Sequence, residues 1–287
     1  MILFELLIIL TMLISVMFIT LFERKFLGIL NYRKGPNFFI LNSFLHSLID
    51  FLKLITKKTL KMNFLIKSFW ITMIFFGIMM YFFISLNFPF INSFMYMYMN
   101  FFFFFFIYSI MAFFFLMLSY SSNSIFSMIS LYRVLIQIIS YEVGLMFLFL
   151  LPNLMLNSFN FYFYWNYNNK LFLFSFMMIF SLVLVSLSEM NRIPFEFLES
   201  ETELVSGFNV EYMSSLFSFI FLIEYGFFLS MMIMINFFFL FHYLNILFLF
   251  ILIIWSRSFM PRYRYDKMLY YFWKDIIMMI FFLYIFT

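Results

Sequence analysis

The sequence predicts an all-α polytopic integral membrane protein, on three observations. Hydrophobic residues make up 67% of the chain and charged residues 10%, with a mean hydropathy of +1.07, far from the balance of a soluble domain. Apolar runs recur at the length of roughly 20 residues that crosses a bilayer as a helix, about eight of them in 287 residues. Charged residues gather between these runs, as spanning segments require. With no internal repeat and no polar stretch long enough for a soluble domain, residues 1–287 read as a single membrane domain.

The first span is Ile2 to Phe22. It resembles a signal peptide in position, but it lacks a basic leader and a small-residue cleavage site, and it carries Glu5. A basic loop follows, Glu23 to Asn37. Leu41 to Lys57 then places Leu41, Phe44, Leu45, Leu48, Leu52 and Ile55 on one helical face, with His46, Asp50, Lys53 and Lys57 on the other. A segment so polar lies in the interface plane, and the spacing predicts an amphipathic helix over 41–57. The second span covers about Phe64 to Leu86 and the third about Phe101 to Leu118, with a Ser-rich loop from Ser119 to Ser130. Leu131 to Leu151 forms the fourth, closed by Pro152-Asn153, and Lys170 to Leu187 the fifth. Met213 to Asn236 and Phe237 to Trp255 supply the sixth and seventh. Only thirteen residues follow Lys274, so the eighth span is short and recruits part of Met268 to Lys274.

With these spans, sixteen of the seventeen Lys and Arg fall on one side, and Lys170 alone falls opposite. The positive-inside rule puts the sixteen on the inner side of the membrane, which is the matrix side if the chain is organellar, and both termini on the other. The net charge of +4 follows this asymmetry, so it is no sign of nucleic-acid binding. Phe and Met number 55 and 26 while alanine occurs once, at Ala112, a bias of the kind an AT-rich organellar gene produces. Phe and Met stripes therefore read as lipid-facing or core filler.

Residues 188–212, SEMNRIPFEFLESETELVSGFNVEY, hold six of the thirteen carboxylates and a single cation, Arg192. Such a loop between apolar runs is ordinarily a solvated connector. Pro194 restrains the backbone here, Ser200 and Glu203 have capping-box spacing ahead of a helix from Leu204, and the crowded carboxylates repel and share protons. Ionisable clusters at the membrane mark pathways. Two acids also lie mid-span, Glu142 and Glu224, at a cost on the order of 2.5–3.5 kcal/mol each on insertion scales. Arg133 is nine residues from Glu142 and so on the opposite helix face, and the Glu224 helix contains no cation. Both acids are expected to face an internal polar path. The alternative is a permanently neutral acid bonded across a helix interface, to Tyr141 or Tyr225.

With no cysteine and two distant histidines, the sequence predicts no disulfide, no Cys-ligated cluster and no metal site. It contains no Gly-rich phosphate loop and no Ser/His/Asp arrangement, so no complete catalytic site is expected in this chain.

The 188–212 stretch closely resembles the signature of the subunit 1 family of the respiratory NADH:ubiquinone oxidoreductase (complex I). Glu196 stands where Asp is usual, and Ser200 where Gly is usual. Three further blocks follow in the family order: Glu23-Arg24-Lys25 with Arg33-Lys34-Gly35-Pro36-Asn37; YRVLIQIISYEVGL with Arg133, Gln137, Tyr141 and Glu142; and MPRYRYDKMLYYFWK from Met260. The resemblance implies a core membrane subunit of a mitochondrial inner-membrane assembly, forming much of the ubiquinone access chamber and linking quinone reduction to proton translocation. It implies quinone-access roles for Arg24, Arg33, Asp50, Arg192 and Phe195, and proton-path roles for Glu142, Glu189, Glu199, Glu201, Glu203 and Glu224. Ubiquinone is then a substrate, and no cofactor is bound by this chain. Flavin and iron–sulfur clusters belong to partner subunits of the membrane and peripheral arms, and lipid surrounds the rest. A stand-alone proton or cation transporter, or a structural membrane anchor, are the competing readings.

Overall fold

The computed structural model describes residues 2–35, 40–58, 67–87, 100–156, 159, 175–197, 212–239 and 243–285. Their regular structure is helical, with no strand among the described residues. In chain order the helices are α1 (Ile2–Leu30), α2 (Ile40–Thr56), α3 (Lys67–Asn87), α4 (Asn100–Ser122), α5 (Ile125–Leu156), α6 (Ser175–Glu189), α7 (Ser215–Phe239), α8 (Tyr243–Phe259) and α9 (Tyr265–Ile285). Within α9, Phe272–Ile276 forms a π-helical turn. Five helices (α1, α4, α5, α7 and α9) are long and apolar enough to cross a bilayer, and α3, α6 and α8 contain shorter apolar segments. Those eight with the amphipathic α2 match the predicted count.

α7 is the hub of the packing, touching α1, α2, α3, α6 and α8. Two glycines let α3 approach closely, as small residues do between membrane helices. A Cβ on Gly226 would meet the Tyr81 ring at 2.6 Å, and one on Gly77 would meet Phe114 at 2.6 Å and Ile223 at 2.8 Å. On the other flank α9 leans on α5 and α6, with Phe272 of the π-turn seated against Gly144 and 4.1 Å from the Tyr141 ring.

The seventh span is displaced from its sequence reading, since Phe237 to Phe239 close α7 and α8 runs from Tyr243 to Phe259, and four other boundaries differ. α1 runs to Leu30, so Glu23, Arg24 and Lys25 stand on a helix rather than in a loop. It ends where Tyr32 takes a left-handed φ of 53° and the Arg33 amide donates to the Gly28 carbonyl at 2.9 Å. The Ser119–Ser130 loop shrinks to a break at Asn123-Ser124, with Asn123 at φ 50°. The serines are tolerated within the helices because their hydroxyls are satisfied by carbonyls three residues back, as those of Ser121, Ser122 and Ser130 are. α5 continues through Pro152 to Leu156, and Asn153 donates its side-chain amide to the Phe149 carbonyl. Membrane helices tolerate proline of this kind. Finally α9 begins at Tyr265, so the last span is not short; the π-turn accommodates Lys274 and Asp275 inside it.

Several cross-links gather one end of the bundle. Tyr212, ahead of α7, donates to the Leu118 carbonyl at 2.6 Å and lies 2.6 Å from the Ser121 hydroxyl. The Tyr263 amide donates to the Pro194 carbonyl at 3.1 Å, and Arg257 bonds Glu23. The ends of α1, α4, α6 and α8 and the beginnings of α7 and α9 therefore meet on one side. This is the side to which the basic residues were assigned.

Candidate functional site

Residues 190–197 leave α6 and cross this end of the bundle as an ordered turn. Asn191 takes a left-handed φ of 49°, and the Ile193-Pro194 peptide is cis. Gln137, buried on α5, ties both ends of the turn, donating to the carbonyls of Ser188 (2.6 Å) and Phe195 (3.1 Å). Phe195 is buried beneath it, its ring 5.9 Å from Tyr141 and stacked 5.6 Å from Tyr263. Glu196 pairs with Arg262 at 2.5 Å.

This turn roofs a small cavity. Its carboxylates are Glu189, Glu196 and Glu224, and its cations are Arg192 and Arg257; Asn191 and Tyr108 add polar groups, and Phe227 and Phe228 an apolar wall. Oxygens of Glu189 and Asn191 are buried without a hydrogen-bond partner among the described residues. Buried acceptors of this kind call for a donor from water or a ligand. Glu142 is close enough to influence Glu189 electrostatically.

Arg192 is the fixed cation of the site. It donates to the Tyr225 hydroxyl at 3.1 Å, its guanidinium lies 4.1 Å from the Tyr225 ring centre and 5.6 Å from that of Phe228, and Glu23 is 3.8 Å away. Burial works against its charge, but Tyr225, Glu23 and Glu224 outweigh that and hold its pKa above the ordinary arginine value. Tyr225 in turn donates to Glu23 at 2.9 Å. A second, smaller recess lies behind the arginines, lined by Glu23, Leu187, Phe250, Ile253 and Ile254 and sharing Arg192, Ile193, Phe228 and Arg257 with the first.

Of the residues singled out from sequence, Glu189, Arg192 and Glu224 come together in the cavity. Phe195 supports its roof. Arg24 and Arg33 are exposed at the end of α1, and Asp50 faces His46 on α2 at 3.2 Å; none of the three lines the cavity. Glu199, Glu201 and Glu203, with the capping box ahead of Leu204, lie outside the described residues. The Glu224 helix carries no cation of its own, but Arg192 from the turn and Arg257 from α8 line the same cavity, a proximity that no intrahelical spacing can reveal. The neighbouring tyrosines do not serve the mid-span acids. Tyr225 is committed to Glu23, and the Tyr141 hydroxyl is buried with no partner among the described residues. Glu23, Arg257 and Tyr108 were not read as site residues; Glu23 could have been, as an acid beside two cations at the end of a span.

The fold and this site define a polytopic α-helical membrane protein with an acidic internal cavity held by arginines. The family model described as NADH dehydrogenase matches residues 4–287, and the chain belongs to that family. Among its curated relatives are proteins named NADH-ubiquinone oxidoreductase chain 1. The one from Anopheles quadrimaculatus is 37% identical over 285 residues, covering 95% of this chain and 90% of its own. That from Rhipicephalus sanguineus is 37% identical over 277 residues (94% and 88%), and that from Apis mellifera ligustica 34% over 281 (93% and 90%).

Proposed function

We propose that this chain is a membrane subunit of the mitochondrial NADH:ubiquinone oxidoreductase, and that its arginine-held acidic cavity links ubiquinone reduction to proton movement. The observation that carries the reading is the convergence of Glu189, Glu196 and Glu224 on one cavity with Arg192 and Arg257. Reduction of a quinone consumes protons as well as electrons. A chamber beside carboxylates can supply those protons, and a fixed guanidinium stabilises the oxygen on which negative charge develops. In this reading Arg24, Arg33, Asp50, Arg192 and Phe195 shape quinone access, and Glu142 with Glu199, Glu201 and Glu203 extends the proton path from Glu189 and Glu224. Electrons arrive from flavin and iron–sulfur clusters in partner subunits of an inner-membrane assembly, since this chain supplies no cysteine to ligate a cluster.

Arg192→Lys tests the access role. Lysine keeps the charge but loses the planar fork and the stacking over Tyr225. Ubiquinone-linked NADH oxidation in the assembled enzyme should fall severalfold, while electron transfer to an artificial acceptor upstream persists. Equal loss of both activities, or failure to assemble, would assign Arg192 a structural role instead.

A further inference from the structure

We propose that the outward stripe of α9 centred on Asp275 is a docking surface for a membrane-spanning helix of a partner subunit, one that presents a hydrogen-bond donor to the Asp275 carboxylate. This inference rests on the reading of the chain as one subunit of a membrane assembly. α9 is long and apolar enough to cross a bilayer, and Asp275 is its central residue, ten positions from Tyr265 and ten from Ile285. At the helical rise that is about 15 Å from either end, near the middle of a hydrocarbon core about 30 Å thick. Asp275 is exposed on the surface of the bundle, and its carboxylate makes no hydrogen bond or ion pair among the described residues. Charged side chains within a span are rare, and they pair or face a polar interior rather than lipid. Asp275 does neither within these residues, so its counterpart comes from outside them.

Lys274 does not fill that role. Its ammonium turns back along the helix, 2.9 Å from the Tyr270 hydroxyl and 5.1 Å from the centre of that ring, the course by which a long cationic side chain reaches toward the membrane surface. Aspartate, with one methylene, cannot follow it. Lys274, Asp275, Met278, Met279 and Phe282 fall at i, i+1, i+4, i+5 and i+8, which is one face of a helix. With Met177 near the start of α6 they line an open groove between α6 and α9. Met177, Met278 and Phe282 are each more than half exposed, and methionine adapts its shape to an opposing surface. A groove that runs along a helix, apolar except at one level, suits an incoming helix whose donor meets Asp275, since hydrogen bonds of this kind join membrane helices. A phospholipid keeps its polar head at the membrane surface, far from the level of Asp275. The π-turn Phe272–Ile276 carries both charged residues, and such turns within α-helices often occur at functional positions.

The chain has no cysteine, so Met278→Cys gives it a single thiol. The whole complex containing this variant is labelled in its native membrane with a benzophenone maleimide and irradiated, and the attached species is identified by mass spectrometry. The expected product joins position 278 to an apolar segment of spanning length in another subunit of the same complex, with a hydroxyl, amide or basic side chain within a turn of the attachment point. Attachment to lipid alone, to residues 160–174 of this chain, or to a segment with no such donor overturns the docking surface. Asp275→Leu should lower severalfold the fraction of complexes that keep the cross-linked subunit through detergent purification. Retention equal to wild type in Asp275→Leu overturns the proposal as well. Should Asp275→Leu fail to assemble, the cross-link from position 278 decides alone. A tagged wild-type chain that migrates outside any flavin-containing assembly defeats the reading as a subunit. A chain inside that assembly whose position 278 attaches only to lipid defeats the docking surface alone.

Discussion

Glu23 accepts hydrogen bonds from Tyr225 and Arg257 and lies 3.8 Å from Arg192, so one buried carboxylate faces two guanidinium groups. Removing its charge takes from Arg257 the carboxylate it bonds and weakens the compensation of Arg192, and breaking a buried pair costs roughly 3–5 kcal/mol. Glu23→Gln should therefore lower the thermal stability of the assembled complex markedly. Adding Arg257→Met should recover part of the loss, because the remaining Arg192 still has Glu224 nearby; a double variant no more stable than the single would refute the pairing. The sequence offered Glu23 only as part of a basic motif. Its partners lie more than 160 residues away in the chain, and spacing within one helix carries no information about them. Arg192 and Glu224 were legible for a different reason: an acid mid-span, or a lone cation among acids, is costly enough to demand a function wherever it packs, whereas Glu189 stood out only as one of the crowded loop acids and through the family resemblance.

At the scale of elements, hydropathy located the spans because an apolar run of bilayer length has few alternatives. Their ends were less legible. Serine and proline ordinarily signal turns, but within an apolar bundle a serine hydroxyl bonds its own helix, and a single proline removes one backbone donor from α5 without ending it. The close approach of α3 to α7 likewise depends on two glycines that composition alone leaves unexplained. Gly226→Ala would drive a Cβ to 2.6 Å from the Tyr81 ring, and overpacking of this kind costs about 1–3 kcal/mol. Gly144→Ala, whose nearest contact is 3.0 Å from the Phe272 ring, should cost less. Melting of the two variants in otherwise wild-type complex checks the order; equal midpoints would show that α3 and α7 have slack that the structure does not display.

Over the whole molecule, the ends of α1, α6 and α8 converge on the turn that follows α6, and α7 runs from that end into the bundle carrying Glu224. Quinone chemistry at this end and charge movement inside the bundle would share one set of carboxylates. Glutamine preserves the shape and hydrogen bonding of a neutral acid but cannot take up or release a proton, so it separates a relay from a packing role. The most direct measurement is the number of protons moved per NADH oxidised by assembled Glu189→Gln and Glu224→Gln complexes in sealed membranes. If the acidic cavity couples the two processes, both variants assemble, lose quinone-linked turnover and move fewer protons per NADH than wild type. Assembled variants with wild-type turnover and proton yield would contradict it.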